Sequence, residues 1–504
     1  MTKQITLKPR SRILCASGSL LASAMLVCSL GVVGCASSSQ SSSAESASST
    51  SASTATTAAT VSSNTVNPSD IVSASASGTY LSKGDITIKE TIENSADGEH
   101  AIAADGQNSS YANTLVTKTG DSSGDEADFY GENAAIFATN GATLDLSNMV
   151  VDTNGTHANG VFSYGEGTTV NISDSVIETT GNCSGGLMTT GGGTMNANNL
   201  TIHTTGNSSA AIRSDRGGGT VNVTKGSYTT DGKGSPAIYS TADITVNDAL
   251  LTSTSAQGVV VEGKNSVTLN DVDLVASNTS KNSDKSDYYQ AVMIYQSMSG
   301  DAANGEASFT ATDGSIENAN GDIFFVNNTV ATISLKNVAI TNKDASGVFL
   351  RAAAAGWGSE GSNGGQVTLK ASSQTIDGNM LVDSVSNLNL YLADGSTFNG
   401  TINPDGNEGD VYVELTGGSK WVLTGDAHIK SLTCDADSID LNGHTLYVDG
   451  KAYEAGTAST GTAIEVVVSE SSHGGPGGEP PSGGAPSSGG SHGSSGTPPE
   501  KPGN

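Results

Sequence analysis

Basic residues, aromatic residues and charged residues in general are scarce in this 504-residue sequence. Only 22 Lys and Arg stand against 51 Asp and Glu, which leaves a net charge of −29, and aromatic residues make up 5%. The shortage of basic residues excludes nucleic acid as a partner, because phosphate contacts need clustered Lys and Arg. A charged fraction of 14% together with 63 Gly is typical of a β-rich, turn-rich protein and not of a helical enzyme.

Cysteine is also scarce, and its placement excludes a disulfide scaffold. Cys15 and Cys28 fall within the first 34 residues, and Cys35 follows directly. Only Cys183 and Cys434 remain in the rest of the chain. Two distant cysteines are too few for the disulfide framework that holds small secreted domains together.

The first 34 residues have the three-part pattern of an export signal. Four basic residues lie between positions 3 and 12, an apolar stretch covers Ile13–Val33, and the tetrapeptide VVGC ends at Cys35. This tetrapeptide resembles the bacterial lipobox, whose cysteine takes a diacylglycerol. We therefore expect residues 1–34 to be a lipoprotein signal peptide. The protein would be exported and anchored to the bacterial cell membrane or surface by the lipid on Cys35.

An ordinary signal peptide and a single retained membrane helix are the alternatives for the N-terminus. The polar, helix-poor run after Cys35 disfavours the retained helix. Residues 35–77 are Ser, Thr and Ala with almost no large apolar residue, so we expect a disordered tether. Residues 469–504 are rich in Gly, Pro and Ser and are predicted to be a disordered tail. The folded domain is then expected at 78–468.

Between these two segments a sequence motif recurs at a spacing of 23 to 26 residues. Residues 179–194 read TTGNCSGGLMTTGGGT, and residues 204–220 read TTGNSSAAIRSDRGGGT. Short strands with alternating apolar residues are predicted at Leu144, Val170, Met195, Val221, Ile244 and Val267, and then near Phe309, Ile333, Val367, Leu388 and Val411.

Repeats of roughly 20 to 30 residues that contain three short strands predict a solenoid. Leucine-rich repeats are excluded because their Leu spacing and helical segment are missing. Calcium-binding nonapeptide repeats are excluded because they are shorter and Asp-periodic. We predict an all-β fold, a single parallel β-helix in which each repeat is one coil and alternate apolar residues stack inside. About a dozen or more coils at about 4.8 Å each would form a rod about 60 Å long.

The stretch 350–448 resembles a known group of proteins. It reads LRAAAAGWGSEGSNGGQVTLKASSQTIDGNMLVDSVSNLNLYLADGSTFNGTIN, followed later by SKWVLTGDAHIKSL and LNGHTLYVDG. It is similar to poorly characterised β-helix proteins on the surface of gut bacteria and archaea, often described as carbohydrate-binding or adhesin-like. The whole chain resembles the pectate-lyase-like superfamily, which implies a right-handed parallel β-helix. That superfamily contains lyases, polygalacturonases, autotransporter passengers and adhesins, so the resemblance does not select one function.

The catalytic motifs of polygalacturonases, Gly-His-Gly and Arg-x-Lys, are missing from the sequence. Outside the signal peptide there are three arginines, at positions 213, 216 and 351. Arg213 and Arg351 are predicted about five coils and roughly 24 Å apart, too far to act on one bond. The best candidate for a catalytic site is therefore Arg213, Asp215 and Arg216. The alternative is an ion-pair ladder across adjacent coils.

An acidic insertion, GDSSGDEADFYGEN at 120–133, suggests calcium. Asp121, Asp125 and Asp128 supply the carboxylate oxygens that Ca²⁺ prefers, although the spacing is not that of an EF-hand. The alternative is a solvated acidic loop. No other cofactor is expected.

Two further insertions carry aromatic residues. Tyr288, Tyr289 and Tyr295 lie at or after SNTSKNSDKSDYY, and Trp357 lies in AAAAGWGSEGSNGG. An exposed aromatic ring in a loop on a rigid rod can stack on a sugar ring, so these four residues are the predicted ligand site. The alternative is that Trp357 folds back onto the rod and seals its insertion.

These features lead to one preferred function and two alternatives. The preferred hypothesis is a monomeric, adhesin-like surface lipoprotein whose rod binds a glycan, a surface polysaccharide, or the surface of a host or neighbouring cell. The first alternative is a polysaccharide lyase or glycoside hydrolase with a divergent site, and the second is a purely structural stalk.

Overall fold

The structure, a computed structural model, describes residues 79–281, 284–406 and 408–468. The predicted signal peptide, the lipidation site Cys35, the predicted tether up to residue 77 and the predicted tail from residue 469 lie outside the described residues. In the described part, one short helix, α1 (Asp125–Phe129), accompanies 36 strands, and a single 3₁₀ turn covers Lys83–Asp85.

The strands follow one another at short intervals along the whole described chain. The first twelve are β1 Glu90–Asn94, β2 Ile102–Asp105, β3 Ser109–Ala112, β4 Thr114–Lys118, β5 Ile136–Thr139, β6 Thr143–Ser147, β7 Val150–Thr153, β8 Val161–Tyr164, β9 Thr169–Thr179, β10 Leu187–Thr190, β11 Gly193–Thr204 and β12 Ile212–Ser214. The next twelve are β13 Gly219–Thr230, β14 Ile238–Ser240, β15 Asp243–Ser253, β16 Val259–Glu262, β17 Ser266–Ala276, β18 Gln290–Tyr295, β19 Glu306–Thr312, β20 Ser315–Asn318, β21 Asp322–Asn327, β22 Thr329–Lys336, β23 Ala339–Asn342 and β24 Val348–Ala352. The last twelve are β25 Gly365–Ser372, β26 Thr375–Asp377, β27 Asn379–Val382, β28 Asn387–Ala393, β29 Thr397–Gly400, β30 Asp410–Leu415, β31 Lys420–Leu423, β32 Ala427–Ile429, β33 Ser431–Thr433, β34 Ile439–Asp440, β35 Leu446–Val448 and β36 Lys451–Ala452.

These strands stack as the coils of a parallel β-helix, so the predicted fold class is confirmed. One sheet of 18 strands, here called the long sheet, and one of 11 short strands, here called the second sheet, run along the rod. A four-stranded sheet and a three-stranded sheet complete the C-terminal end. Apart from β35 with β36, the described strand pairs are parallel, and each strand pairs with the equivalent strand of the next coil.

The predicted inward-facing strand residues are also buried as expected, and they lie in two neighbouring columns. Leu144, Val170, Met195, Val221, Ile244 and Val267 pair in register with one another. The same column continues through Phe309, Ile333, Leu369, Leu390 and Val413, whereas the predicted Val367, Leu388 and Val411 pair with one another in the adjacent inward column. All of these side chains are buried. The apolar interior therefore consists of columns that run from coil to coil, as a solenoid requires.

A bend in the middle of the longest strands differs from the expected pattern of three separate strands per coil. β9 continues through Asp174, whose φ of 50° is left-handed, and β11 continues through Asn199 at 56°. Asp248 and Asp271 bend β15 and β17 in the same way. Asn and Asp tolerate this conformation better than most residues, so the chain turns a corner without leaving the ladder.

The chain before β1 forms an N-terminal strap (79–88) that runs along the outside of the rod. Ile86 packs in an apolar cluster on the early coils, and Tyr80 packs several coils further on, beside Leu250. Between them, Lys83 Nζ lies 2.6 and 2.7 Å from carboxylates of two neighbouring coils. The described chain thus begins near the middle of the rod and not at its end.

A C-terminal strap (459–468) returns along the rod from the opposite end. It starts with an antiparallel bridge to Cys434. Ile464 exchanges two hydrogen bonds with the side chain of Asn389, at 2.8 and 3.0 Å. The backbone of Val467 then donates to Gln366, one coil before Asn389. The antiparallel pair β35–β36 follows the last parallel coils, and its reversed direction ends the stack at this edge.

We predict that Lys225→Asn stabilises the protein. Lys225 occupies the bend of β13 with a φ of 62°, where a lysine side chain is strained and an asparagine is tolerated. The free energy of unfolding should rise by about 1 kcal/mol, measured as an increased urea midpoint. Lys233→Asn is the matched control, because Lys233 is exposed and has no positive φ. An equal gain at both positions, or no gain at Lys225, would contradict this account of the bend.

Candidate functional site

The outer face of the long sheet carries two separate depressions along the rod, which we together call the groove. One outward-facing column of this face runs from Asp145 through Asn171, Asn196 and Asn222, each residue one coil above the last. The groove is wide here and has a volume of 760 Å³, and we call this part the amide section. Such a volume lies within the range of ordinary ligand sites.

The asparagines of the amide section form a hydrogen-bonded ladder. Asn171 Nδ2 donates to Asp145 at 2.8 Å, Asn196 Nδ2 donates to Asn171 Oδ1 at 2.9 Å, and Asn222 Nδ2 donates to Asn196 Oδ1 at 3.0 Å. Because an amide has two donor hydrogens and two acceptor lone pairs, each inner member of the ladder keeps one donor and one acceptor for a ligand. The ladder also holds the amides in fixed orientations, so the free groups repeat at about 4.8 Å.

The same column continues to a second wide part of the groove. Between Asn222 and Tyr391 it passes through Thr245, Thr268, Thr310, Ser334 and Lys370. Around Tyr391 the groove has a volume of 440 Å³ and is lined by Lys336, Lys370, Tyr391 and Glu414 among others, and we call this part the tyrosine section. The groove therefore has two parts with different chemistry on one continuous face.

Tyr391 is held at the floor of the tyrosine section by its neighbours. Its ring meets the edge of Tyr412, with centroids 5.8 Å apart and planes at 71°. The Tyr412 hydroxyl donates to Glu414 at 2.6 Å, which fixes that carboxylate. Partial burial, and next the negative charge of Glu414, raise the pKa of the Tyr391 hydroxyl. The C-terminal strap runs alongside, because Asn389, which binds Ile464, lies two residues before Tyr391.

The predicted catalytic residues lie elsewhere, under the outer surface of the second sheet. Arg213 and Asp215 are 1% and 2% exposed, and Arg213 Nη2 donates to Asp215 Oδ2 at 2.7 Å. Burial raises the pKa of the Asp215 carboxyl to about 7, against the opposing charge of Arg213. The sequence suggested either an accessible catalytic cluster or an ion-pair ladder on the surface. The structure instead shows a buried ion pair between Arg213 and Asp215.

Arg216 joins two insertions that are far apart in the sequence. Its Nε donates to Asp301 at 2.7 Å, and its Nη1 donates to Asp125 at 2.9 Å. Its guanidinium carbon also lies 3.6 Å above the ring centroid of Phe129, the last residue of α1. These contacts hold the acidic insertion and the loop after β18 against the rod, which is a structural role.

Arg213 and Arg351 are separated as the sequence predicted. They occupy one column of the second sheet, five steps apart, through Tyr239, Val260, Met293 and Phe325. At about 4.8 Å per step the separation is about 24 Å. Arg351 is engaged separately, with its Nε 2.6 Å from Asp322.

A buried carboxylate near Arg213 has no cationic partner among the described residues. Glu262 is fully buried and accepts hydrogen bonds from the hydroxyls of Tyr239, Tyr295 and Ser297, the second of them at 3.0 Å. Burial raises the pKa of Glu262 above its usual range, although these hydroxyls oppose the shift. Sequence reasoning did not single out this residue, because nothing in the phrase VVVE marks its glutamate as buried.

The predicted aromatic ligand site is mostly interior. Trp357 and Tyr295 are 1% and 0% exposed, and their rings meet edge to face with centroids 5.3 Å apart. Tyr288 is half-buried, with Arg351 4.2 Å from its ring centroid, and Tyr289 is half-buried with Lys281 Nζ at 5.8 Å. Trp357 therefore folds back onto the rod and closes its insertion, as the alternative interpretation of the sequence expected. It offers no ring face to a sugar.

The three predicted calcium ligands are each held by a different partner. Asp121 accepts a hydrogen bond from the backbone of Thr156 at 2.6 Å, Asp125 pairs with Arg216, and Asp128 accepts from His157 Nε2 at 2.9 Å. Calcium binding in this insertion stays a prediction, and these contacts define no shared oxygen cluster for it.

One other group of possible metal ligands occurs in the described part of the chain. Asp128, His157 and Cys183 bring their ligand atoms within 4.8 Å of one another, and all three are buried. Both ring nitrogens of His157 are already engaged, Nδ1 with the backbone oxygen of Ser122 at 2.8 Å and Nε2 with Asp128 at 2.9 Å. We therefore describe the cluster as a buried Asp–His hydrogen bond and assign no metal to it. Cys434 is a buried free thiol.

The sequence analysis did not identify the residues of the groove, although the alternation within the strands indicates them. In VNI, MNA and VNV the middle residue of an alternating strand must point outward when its neighbours are buried. Applying that alternation together with the coil repeat places Asn171, Asn196 and Asn222 in one column. The same reasoning applied to NLNLYLA places Tyr391 on the outer face.

Comparison with protein-family models, with curated proteins and with solved structures finds no match for this chain. Across the residues that the structure describes, no helix has the length and apolar character needed to cross a membrane.

We predict that the network around Glu262 makes the protein less stable as pH rises. Because the folded pKa of Glu262 is raised, the folded state holds this proton more tightly than the unfolded state. Its contribution is present at acidic pH and is lost as pH rises through the folded pKa. Glu262→Gln should flatten the fall in urea midpoint between pH 5 and pH 8.

The control for this measurement is Glu93→Gln, which removes an exposed carboxylate. It should leave the slope of midpoint against pH as it is in the parent protein. A slope that Glu262→Gln leaves unchanged, or makes steeper, would show that burial does not govern this carboxylate.

Proposed function

We propose that this chain is an exported, lipid-anchored surface protein whose rod binds carbohydrate in the groove of the long sheet. The observation that carries the proposal is the hydrogen-bonded ladder of Asn171, Asn196 and Asn222 in an open groove. It repeats one free amide donor and one free acceptor at each coil. Sugars present hydroxyl groups that accept and donate hydrogen bonds at short intervals, so a repeated pair of groups suits them.

The groove is also rigid, which favours ligand binding. Its floor consists of strands whose backbone is fixed by the neighbouring coils, so little ordering is needed when a ligand binds. Tyr391 supplies an aromatic ring at one end, and rings of this kind combine apolar contact with a polar group. The resemblance to adhesin-like surface proteins and the lipobox-like VVGC support a surface location.

The proposal favours binding over catalysis because of where the charged groups lie. Arg213, Asp215 and Glu262 are buried under the insertions of the second sheet. In the amide section the one carboxylate, Asp145, is already bonded to Asn171. Glycoside hydrolysis needs two carboxyl groups placed across one bond, and this section of the groove does not supply them.

The test is a glycan array probed with the chain from residue 36 onward, followed by titration of the strongest glycan. Asn171→Ala together with Asn196→Ala should weaken that binding by about tenfold or more, because at least two hydrogen bonds to the ligand and the ladder between them are lost. Asn154→Ala is the matched control, since Asn154 is an exposed asparagine on another face.

The melting temperature of each variant shows whether the rod is intact. A folded double variant that binds as tightly as the parent would refute the groove as the site. Failure of the parent chain to bind any glycan on the array would refute the proposed function itself.

A further inference from the structure

We infer that the tyrosine section selects a sugar that carries a negative charge, such as a carboxylate or a sulfate. This inference rests on the proposed function and adds the class of ligand. Its starting point is charge: in a chain with a net charge of −29, two lysines, Lys336 and Lys370, line one short stretch of the groove. Both are exposed, and neither forms a salt bridge with any carboxylate that the structure describes.

The register places these two lysines beside the aromatic ring. Lys370 pairs directly with Tyr391 in the next coil. Lys336 lies one coil before Lys370, two residues further along the strand, because Lys336 pairs with Ser372. Each coil adds about 4.8 Å, so both flexible side chains reach the space above the Tyr391 ring. A sugar stacked on that ring would therefore meet two ammonium groups on one side.

The acidic groups around this section are already engaged or lie on the opposite side. Asp313 accepts from Asn337 at 2.7 Å, and Asp394 accepts from Ser372 at 2.6 Å. Glu414 lies one coil beyond Tyr391, away from the lysines, and is bonded to Tyr412. The charge gradient therefore runs along the groove and would orient a ligand, with its anionic group toward Lys370 and its neutral hydroxyls toward Glu414.

The amide section has no comparable basic group. Its polar lining consists of Asn, Ser, Thr and Tyr111 with the single carboxylate of Asp145, and no lysine or arginine is among its lining residues. A neutral saccharide would gain hydrogen bonds there but no charge attraction. Charge selectivity should accordingly arise in the tyrosine section alone, which separates the two proposals experimentally. Hydrogen bonds to charged groups are about twice as strong as neutral ones, so the preference should be measurable.

The experiment compares glycans with one shared core. The chain from residue 36 onward is titrated with neutral, sulfated and carboxylated forms of each core that the array identifies, with lactose, sulfolactose and sialyllactose as the defined set. The parent should bind at least one charged form about tenfold more tightly than its neutral core. The sulfated and carboxylated arms show which anionic group is preferred. Raising the NaCl concentration should reduce the difference.

Lys336→Gln together with Lys370→Gln should abolish the preference, so that the charged form binds no more tightly than its neutral core. Lys89→Gln together with Lys451→Gln is the matched control, because it removes the same charge from exposed lysines outside the groove. Tyr391→Ala should weaken all forms, and Tyr391→Phe should retain most of the binding. These substitutions change outward-facing side chains and leave the backbone pairing between coils in place. The melting temperature of each variant checks that it is folded.

Equal affinity for charged and neutral forms, or a preference that survives the Lys336 and Lys370 changes, would overturn this inference. In either case, binding of neutral glycans that depends on Asn171 and Asn196 would still uphold the proposed function. Absence of binding to every glycan would overturn both.

Discussion

Contact between successive coils is the interaction on which this structure depends. A single coil of about 25 residues cannot enclose its own apolar side chains, and its strands have no partners within the coil. Leu251 and Ile177, for example, are fully buried only because equivalent residues lie above and below them. The backbone hydrogen bonds follow the same rule, since each strand pairs with its equivalent one coil away. Burial and hydrogen bonding are therefore satisfied together, along the axis of the rod.

The same stacking decides what the outside of the rod can do. Any residue that points outward is repeated near the same place in the next coil, so surface chemistry arises as columns. Where the column is Asn171, Asn196 and Asn222 the result is an amide ladder, and where it reaches Lys370 and Tyr391 the result is a cationic, aromatic surface. The straps and insertions then determine which columns stay open. Those over the second sheet bury Arg213 and Trp357, while the groove of the long sheet remains accessible.

The repeat and the core could be predicted from the sequence because they depend on local alternation and on a regular spacing. The buried strand residues from Leu144 to Val411 follow from those two signals alone. The bend at Asp174 and its equivalents was not predicted, because a single left-handed residue leaves no mark in the apolar pattern. The burial of Trp357 and Arg213 depends on insertions that return from distant parts of the chain, as the contacts of Arg216 with Asp125 and Asp301 illustrate. The local sequence pattern does not reveal such long-range contacts. The outward column of asparagines, in contrast, could have been predicted from strand alternation and the coil repeat.

The most direct test of the account is a distance measured along the rod. Nitroxide labels at positions 173 and 336 would occupy one outward column, six coil steps apart through Asn198, Thr224, Asn247, Asn270 and Thr312. Double electron–electron resonance should give a single narrow distribution centred near 29 Å, from six steps of about 4.8 Å plus the spread of the labels. A broad distribution, or a mean far from this value, would contradict coil-on-coil stacking and the groove that is built on it.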